Sequence, residues 1–202
     1  MTRFALLALL ALGASAVQAQ PTVRIGPNID SAEELQTLRN LSACLAESRP
    51  RWARQTLAHP YLSDDQARVA AQALRGYDAC VKNETEVTFR TSGLVGGLAE
   101  HFLRSDIQRA DFSSLTGALA TITPLNVSED FALCVAVRNP AAARDLALSE
   151  PGSAAEMQAA AKLSDHLPPC IQQGEKPSVD LQSLRALMST ALYRGVTTIL
   201  GE

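Results

Sequence analysis

"SACLAESRP" (Ser42–Pro50) and "ALCVAVRNP" (Ala132–Pro140) each put a cysteine six residues before a proline, at the end of an apolar run with helical spacing. The two cysteines are Cys44 and Cys134. A further cysteine, Cys80 or Cys170, follows each of them after 36 residues, and the two pairs are offset by 90. Applied without gaps, that offset lays Pro50 on Pro140, Ala53 on Ala143, Arg54 on Arg144, Ser63 on Ser153, Leu94 on Leu184 and Arg104 on Arg194. Similar residues fill in between: Val81 with Ile171, Leu98 with Met188, Phe102 with Leu192. Alanine matches carry little weight in an alanine-rich chain, but matched cysteines, prolines and arginines carry more. The chain therefore reads as an internal duplication covering residues 31–105 and 121–195.

The periodicity within each unit is helical. Leu35, Leu38, Leu41 and Leu45 recur on one face. Ser31 with Glu34, Ser63 with Gln66 and Ser153 with Glu156 have the spacing of capping boxes, which satisfy the free N–H groups of a helix start. Pro50 and Pro140 suit a first helical turn, where no N–H is needed. Ser128 and Asp180 stand before the apolar runs "EDFALCVAV" and "LQSLRALMSTALYRG". "SDIQRADFSSLTGALATI" (Ser105–Ile122) reads as a further helix joining the units, and the alternation in "TEVTFR" (Thr85–Arg90) as an extended linker. The expected fold is all-α: two four-helix units packed with approximate two-fold symmetry, each with one disulfide. A first unit at 20–105, a connecting helix at 106–120 and a second unit at 121–202 together suit one domain.

Composition limits what such a chain does. Hydrophobic residues make up 47% of the 202 and charged residues 19%, as in globular proteins. Aromatics are 4%, so the core rests on Leu, Ala and Val. A net charge of −3 gives no electrostatic reason to bind nucleic acid or an anionic membrane. Residues 1–19 read as a secretory signal: Arg3, the apolar run Phe4–Leu12, and small residues at Val17 and Ala19 before a cleavage site. Their removal leaves 183 residues with a charge of −4 and no span long enough to cross a bilayer. The expected location is the periplasm or the extracellular space, where disulfides persist.

"CLAESRPRWARQTL" (Cys44–Leu57) and "CVAVRNPAAARDLALSEPGSAAE" (Cys134–Glu156) resemble an uncharacterised group of secreted alphaproteobacterial all-helical proteins with a duplicated two-cysteine unit. The resemblance covers most of the chain after residue 19. It implies an exported helical protein and carries over no activity and no functional residue.

Residues that bear chemistry are scattered. His59, His101 and His166 fall in different elements at no metal-ligand spacing, and the cysteines lack a C-x-x-C pair, so no metal site is expected. No nucleophile elbow is present, and "TSGLVGG" (Thr91–Gly97) lacks the lysine of a phosphate loop. Its glycines read instead as a smooth stripe for close helix packing. Asp64 and Asp65 suit a helix start, with no partner for acid–base work. No catalytic residue and no cofactor is expected. The polar residues that recur in both units are Arg54/Arg144 and Arg104/Arg194, read as helix-end charges or as an anion patch. Asn40, Asn83 and Asn126 head Asn-x-Ser/Thr sequons, of which Asn40 and Asn126 sit beside helices and fit capping or chance.

Four cysteines allow three connectivities. A bridge carried by the ancestral unit would be copied into each half, giving Cys44–Cys80 and Cys134–Cys170. The alternative is four free thiols buried as small apolar groups. The expected function is that of an exported binding or structural protein with an unknown protein or small-molecule partner. A hydrolase without a recognisable motif, or a carrier of a small apolar ligand, stands as the alternative.

Overall fold

The computed structural model describes residues 24–26, 32–74, 78–80, 90–171 and 178–201. The signal segment, Ser31, and all of the "TEVTFR" alternation except Arg90 lie outside them. The architecture is helical, and both disulfides form as expected. Cys44 joins Cys80 and Cys134 joins Cys170, each with Cα atoms 5.7 Å apart.

In the first half, α1 covers Ala32–Ser48, α2 Pro50–Ala58, α3 Asp64–Leu74 and α4 Thr91–Asp106. In the second, a short α5 (Leu115–Thr121) leads to α6 (Val127–Arg138), α7 (Pro140–Leu148), α8 (Ala154–Ser164) and α9 (Leu181–Leu200). The boundaries of α2 and α7, and those of α3 and α8, lie 90 residues apart at both ends. So do the starts of α4 and α9 and the single turns at Asp78–Cys80 and Pro168–Cys170.

Local chemistry accounts for these starts. Pro50 and Pro140 occupy the first turns of α2 and α7. At α3, the Gln66 N–H donates to Ser63 Oγ at 3.2 Å, while Gln66 Oε1 accepts from the Leu62 N–H at 2.7 Å. At α8, the Glu156 N–H donates to Ser153 Oγ at 3.1 Å and Glu156 Oε2 accepts from the Gly152 N–H at 2.7 Å. The serine caps form as read, but the return bond goes to the N–H of the residue before the cap, Leu62 or Gly152, and not to that of the serine itself. Asp180 caps α9 by accepting from the Ser183 N–H.

The structure differs from the expectation in three places. Asn126, not Ser128, caps α6, its side chain accepting from the Glu129 N–H at 3.0 Å. The sequon asparagine there does structural work at a helix start. The joining segment is not one helix: after α4 the chain turns at Ile107–Ala110, makes a single turn at Phe112–Ser114, and only then enters α5. Asp111 breaks it by capping that turn through Ser113. The described residues also include two strands, β1 (Arg24–Gly26) and β2 (Ser178–Asp180), paired in parallel.

Helices α4 and α9 are the centre of the core. Leu94, Leu98 and Leu103 on α4 and Leu184, Met188 and Leu192 on α9 are fully buried. Three pairs fix their direction: Arg90 with Asp180, Gly96 with Ala186, Phe102 with Tyr193. The numbers rise together, so the two helices run parallel. Helices α1, α2 and α3 pack on α4, while α5, α6 and α7 pack on α9. Gly96 permits the central approach, because a Cβ there would sit 2.5 Å from that of Ala186. The glycine stripe of α4 is therefore a packing surface in part.

Candidate functional site

The stripe has a second use. Gly93, Gly96 and Gly97 form the floor of a cleft between α1, α4, α9 and the loop joining α7 to α8. Leu35, Leu38 and Pro151 supply apolar walls, and Arg39, Glu100, Glu156 and Arg185 supply charge. The cleft has a volume of about 40 Å³, where one water molecule needs about 10–15 Å³.

Its charged side is a closed network. Arg185 on α9 is 8% exposed, Glu100 on α4 5% and Glu156 on α8 1%. Arg185 donates to Glu100 Oε2 at 2.9 Å from Nη2 and to Glu156 Oε1 at 3.1 Å from Nη1. Its remaining donors reach Ser149 and the Ala147 carbonyl. Glu100 Oε1 also accepts from Arg39 at 3.1 Å and from Arg104 at 2.6 Å. Arg39 bridges outward to Glu150 on the α7–α8 loop, and this contact holds the Glu150 carboxyl below the usual carboxylate range. Three arginines thus balance three glutamates. Buried ions persist only when paired and hydrogen-bonded in this way.

Two neutral groups in the cleft are different. Gln182 is 7% exposed and Ser189 1%. Both line the cleft, and neither Gln182 Oε1 nor Ser189 Oγ has a hydrogen-bond partner. Buried polar atoms without partners are rare in folded proteins.

A second, smaller cleft of about 10 Å³ lies beside α9, lined by Tyr61, Glu129, Leu187, Thr190 and Arg194 among others. The first four sit 90 residues from residues lining the first cleft, Pro151, Arg39, Gly97 and Glu100, and Arg194 sits 90 from Arg104, the ion-pair partner of Glu100. Here Leu187 stands where the first cleft has Gly97, and Tyr61 where it has Pro151. Glu129 and Arg194 pair directly at 2.6 Å, and Glu129 also accepts from the Tyr61 N–H at 2.8 Å. Burial, with a lesser effect of the Asp180 charge, pushes the Tyr61 hydroxyl above its usual pKa.

The four recurring arginines do different jobs. Arg104 belongs to the network around Glu100. Arg54 lies 3.4 Å from Asp106 and stacks on Phe102, Arg144 is 2.9 Å from Asp145 and stacks on Phe112, and Arg194 is held by Glu129. Each guanidinium thus has a carboxylate partner. His59, His101 and His166 are half-buried in separate elements, with His166 beside Asn139 and His101 edge-on to Phe102. Among the described residues, no group of three or more His, Cys, Asp or Glu is placed to hold a metal ion.

Sequence reasoning passed over Glu100, Gln182, Arg185 and Ser189, and read Glu156 only as a capping-box residue. The signal lay in mismatches under the 90-residue offset: Arg185 falls on Val95 and Glu100 on Thr190. Comparison with protein-family models, curated proteins and solved structures finds no match to this chain.

Proposed function

We infer that this is an exported binding protein, built by duplication of a disulfide-stapled four-helix unit, which takes a small ligand in the glycine-floored cleft. The two halves pack about an approximate two-fold axis running between α4 and α9. Equivalent residues meeting across that line, Arg90 with Asp180 and Gly96 with Ala186, support the symmetry. Two disulfides fit an oxidising compartment such as the bacterial periplasm. No helix of the described residues is long and apolar enough to cross a membrane.

One observation carries the reading. Of two clefts whose linings correspond in part under the 90-residue offset, the one at Leu187 and Tyr61 keeps about 10 Å³ and the one at Gly97 and Pro151 about 40 Å³. Packing alone favours filling both. The charged groups at the open cleft are paired with one another, which leaves none of them as a base to activate a hydroxyl and favours binding over hydrolysis.

The test uses protein recovered from the cell envelope and a small-molecule extract of the same envelope. The extract should raise the unfolding temperature of wild-type protein in a concentration-dependent way. No shift in wild type contradicts the reading. Consumption of an extract component by the protein contradicts it in favour of an enzyme. N-terminal sequencing of the same material should begin at Gln20, and an intact Met1 would overturn export with cleavage.

A further inference from the structure

We propose that the surface formed by Leu62, Leu125 and Val127 docks a basic amphipathic segment of a partner protein. This goes beyond the small-ligand reading and does not depend on it.

Among the described residues, four large apolar side chains are exposed. Three of them are these, each between 46% and 57% exposed, and the fourth is Met157. Hydrogen bonds bring the three onto one surface. The Glu129 carboxylate accepts from the Tyr61 N–H and from the Leu125 N–H, each at 2.8 Å, and the Asn126 amide donates to the Tyr61 carbonyl at 2.8 Å. The turn at Leu62 is thus clamped to the start of α6.

The fold does not account for the three side chains. Under the 90-residue offset, Leu62, Leu125 and Val127 fall on Gly152, Leu35 and Thr37. Gly152 makes the same left-handed turn as Leu62, Leu35 is buried and Thr37 is polar. The other half therefore builds the same corner with no large apolar group exposed. Leu62 has a φ of 58°, which costs a leucine energy that a glycine does not spend, and its side chain recovers little by burial.

Charge defines the partner. Asp64 and Asp65 in the first turn of α3 and Asp130 in the first turn of α6 are exposed beside the patch. Asp130 lies one helical turn from Val127. Neutral residues fill the equivalent places, Ala154, Ala155 and Asn40. Arg68 pairs with Asp65 and Arg194 with Glu129, whereas among the described residues no cation pairs with Asp64 or Asp130. A second copy docking through the same surface would set these carboxylates against themselves, and an anionic membrane would meet the same repulsion. Three half-exposed side chains also fall well short of the about 800 Å² a side that a stable interface between folded chains buries. A short helix with apolar anchors on one face and lysine or arginine beside them matches both the patch and its rim.

The experiment titrates the oxidised protein with an amphipathic peptide of leucine and lysine, its leucines at helical spacing, and with a counterpart in which glutamate replaces lysine. The readout is the backbone amide NMR shifts. The lysine peptide should give saturable shifts at Leu62, Leu125 and Val127, and the glutamate peptide none. Leu62→Gly should weaken the lysine peptide about tenfold while raising the stability of the protein, a split that a purely structural leucine would not show. Asp64→Asn combined with Asp130→Asn should weaken it and flatten its salt dependence. Equal binding to wild type and Leu62→Gly, shifts confined to other residues, or saturable binding of the glutamate peptide would each overturn the proposal. Dimerisation in sedimentation that Leu62→Gly abolishes would overturn it in favour of a second copy, and binding to vesicles of anionic lipid in favour of a membrane.

Discussion

Arg90 and Asp180 lie 90 residues apart and form an ion pair, with Nη1 2.9 Å from Oδ2, at the starts of α4 and α9. The sequence offset predicts that they occupy equivalent places, and the structure puts them in contact. Their roles are unequal. Asp180 caps α9 through the Ser183 N–H and brings negative charge to two helix N-termini, while Arg90 gives no side-chain cap to α4.

That inequality has a measurable consequence. Asp180→Ala loses a cap and an ion pair and should cost about 1–2 kcal/mol in urea unfolding. Arg90→Ala loses only a partly exposed ion pair and should cost under about 1 kcal/mol. Equal costs would show that the cap contributes nothing.

Leu62 has a positive φ of 58°, and its equivalent Gly152 has 74°. A left-handed conformation is strained for leucine and free for glycine. Leu62 is also 46% exposed, so little burial is lost on its removal. Leu62→Gly should stabilise the protein by about 1 kcal/mol and Gly152→Leu destabilise it by about as much. A loss of stability in Leu62→Gly would refute the assignment of strain.

The buried network predicts a rescue. Arg185→Val strands Glu156 and should cost about 3–5 kcal/mol. Adding Glu156→Gln should recover part of that loss, because the first half already places Val95 and Gln66 at the equivalent positions, both fully buried. Additive losses in the double variant would mean that the pair is not coupled.

Tyr61 sets an alkaline limit. Its folded-state pKa is raised above the ordinary 10.0, chiefly by burial. The neutral phenol is therefore favoured in the folded state. Its contribution is complete below pH 10 and is lost as pH rises from there toward the folded value. Wild-type stability should fall more steeply above pH 10 than that of Tyr61→Phe, and parallel profiles would contradict this.

The frame of the molecule was legible in the sequence because it depends on local signals. Ser63 and Ser153 cap where their spacing to Gln66 and Glu156 said they would, Pro50 and Pro140 open their helices, and the cysteines pair as the repeat requires. Capping is one of two sequence readings of Asn126, while Ser128 is read at the helix start; the two stand two residues apart, and the structure gives the cap to Asn126. The cleft was harder to read. Glu100, Arg185 and Glu156 come from three helices, and nothing in their local sequences brings them together. What the sequence held was the reverse signal: polar residues at positions where the other half is apolar or neutral. Gly97 opposite Leu187 is the same kind of mark.

The central claim is that the cleft between α1, α4 and α9 takes a small ligand from the cell envelope. A high-resolution crystal structure of the oxidised protein grown in the envelope extract tests it most directly. The account predicts a bound small molecule against Leu35, Leu38 and Pro151, and none beside Leu187. A cleft closed by movement of α1 onto α9 would contradict it.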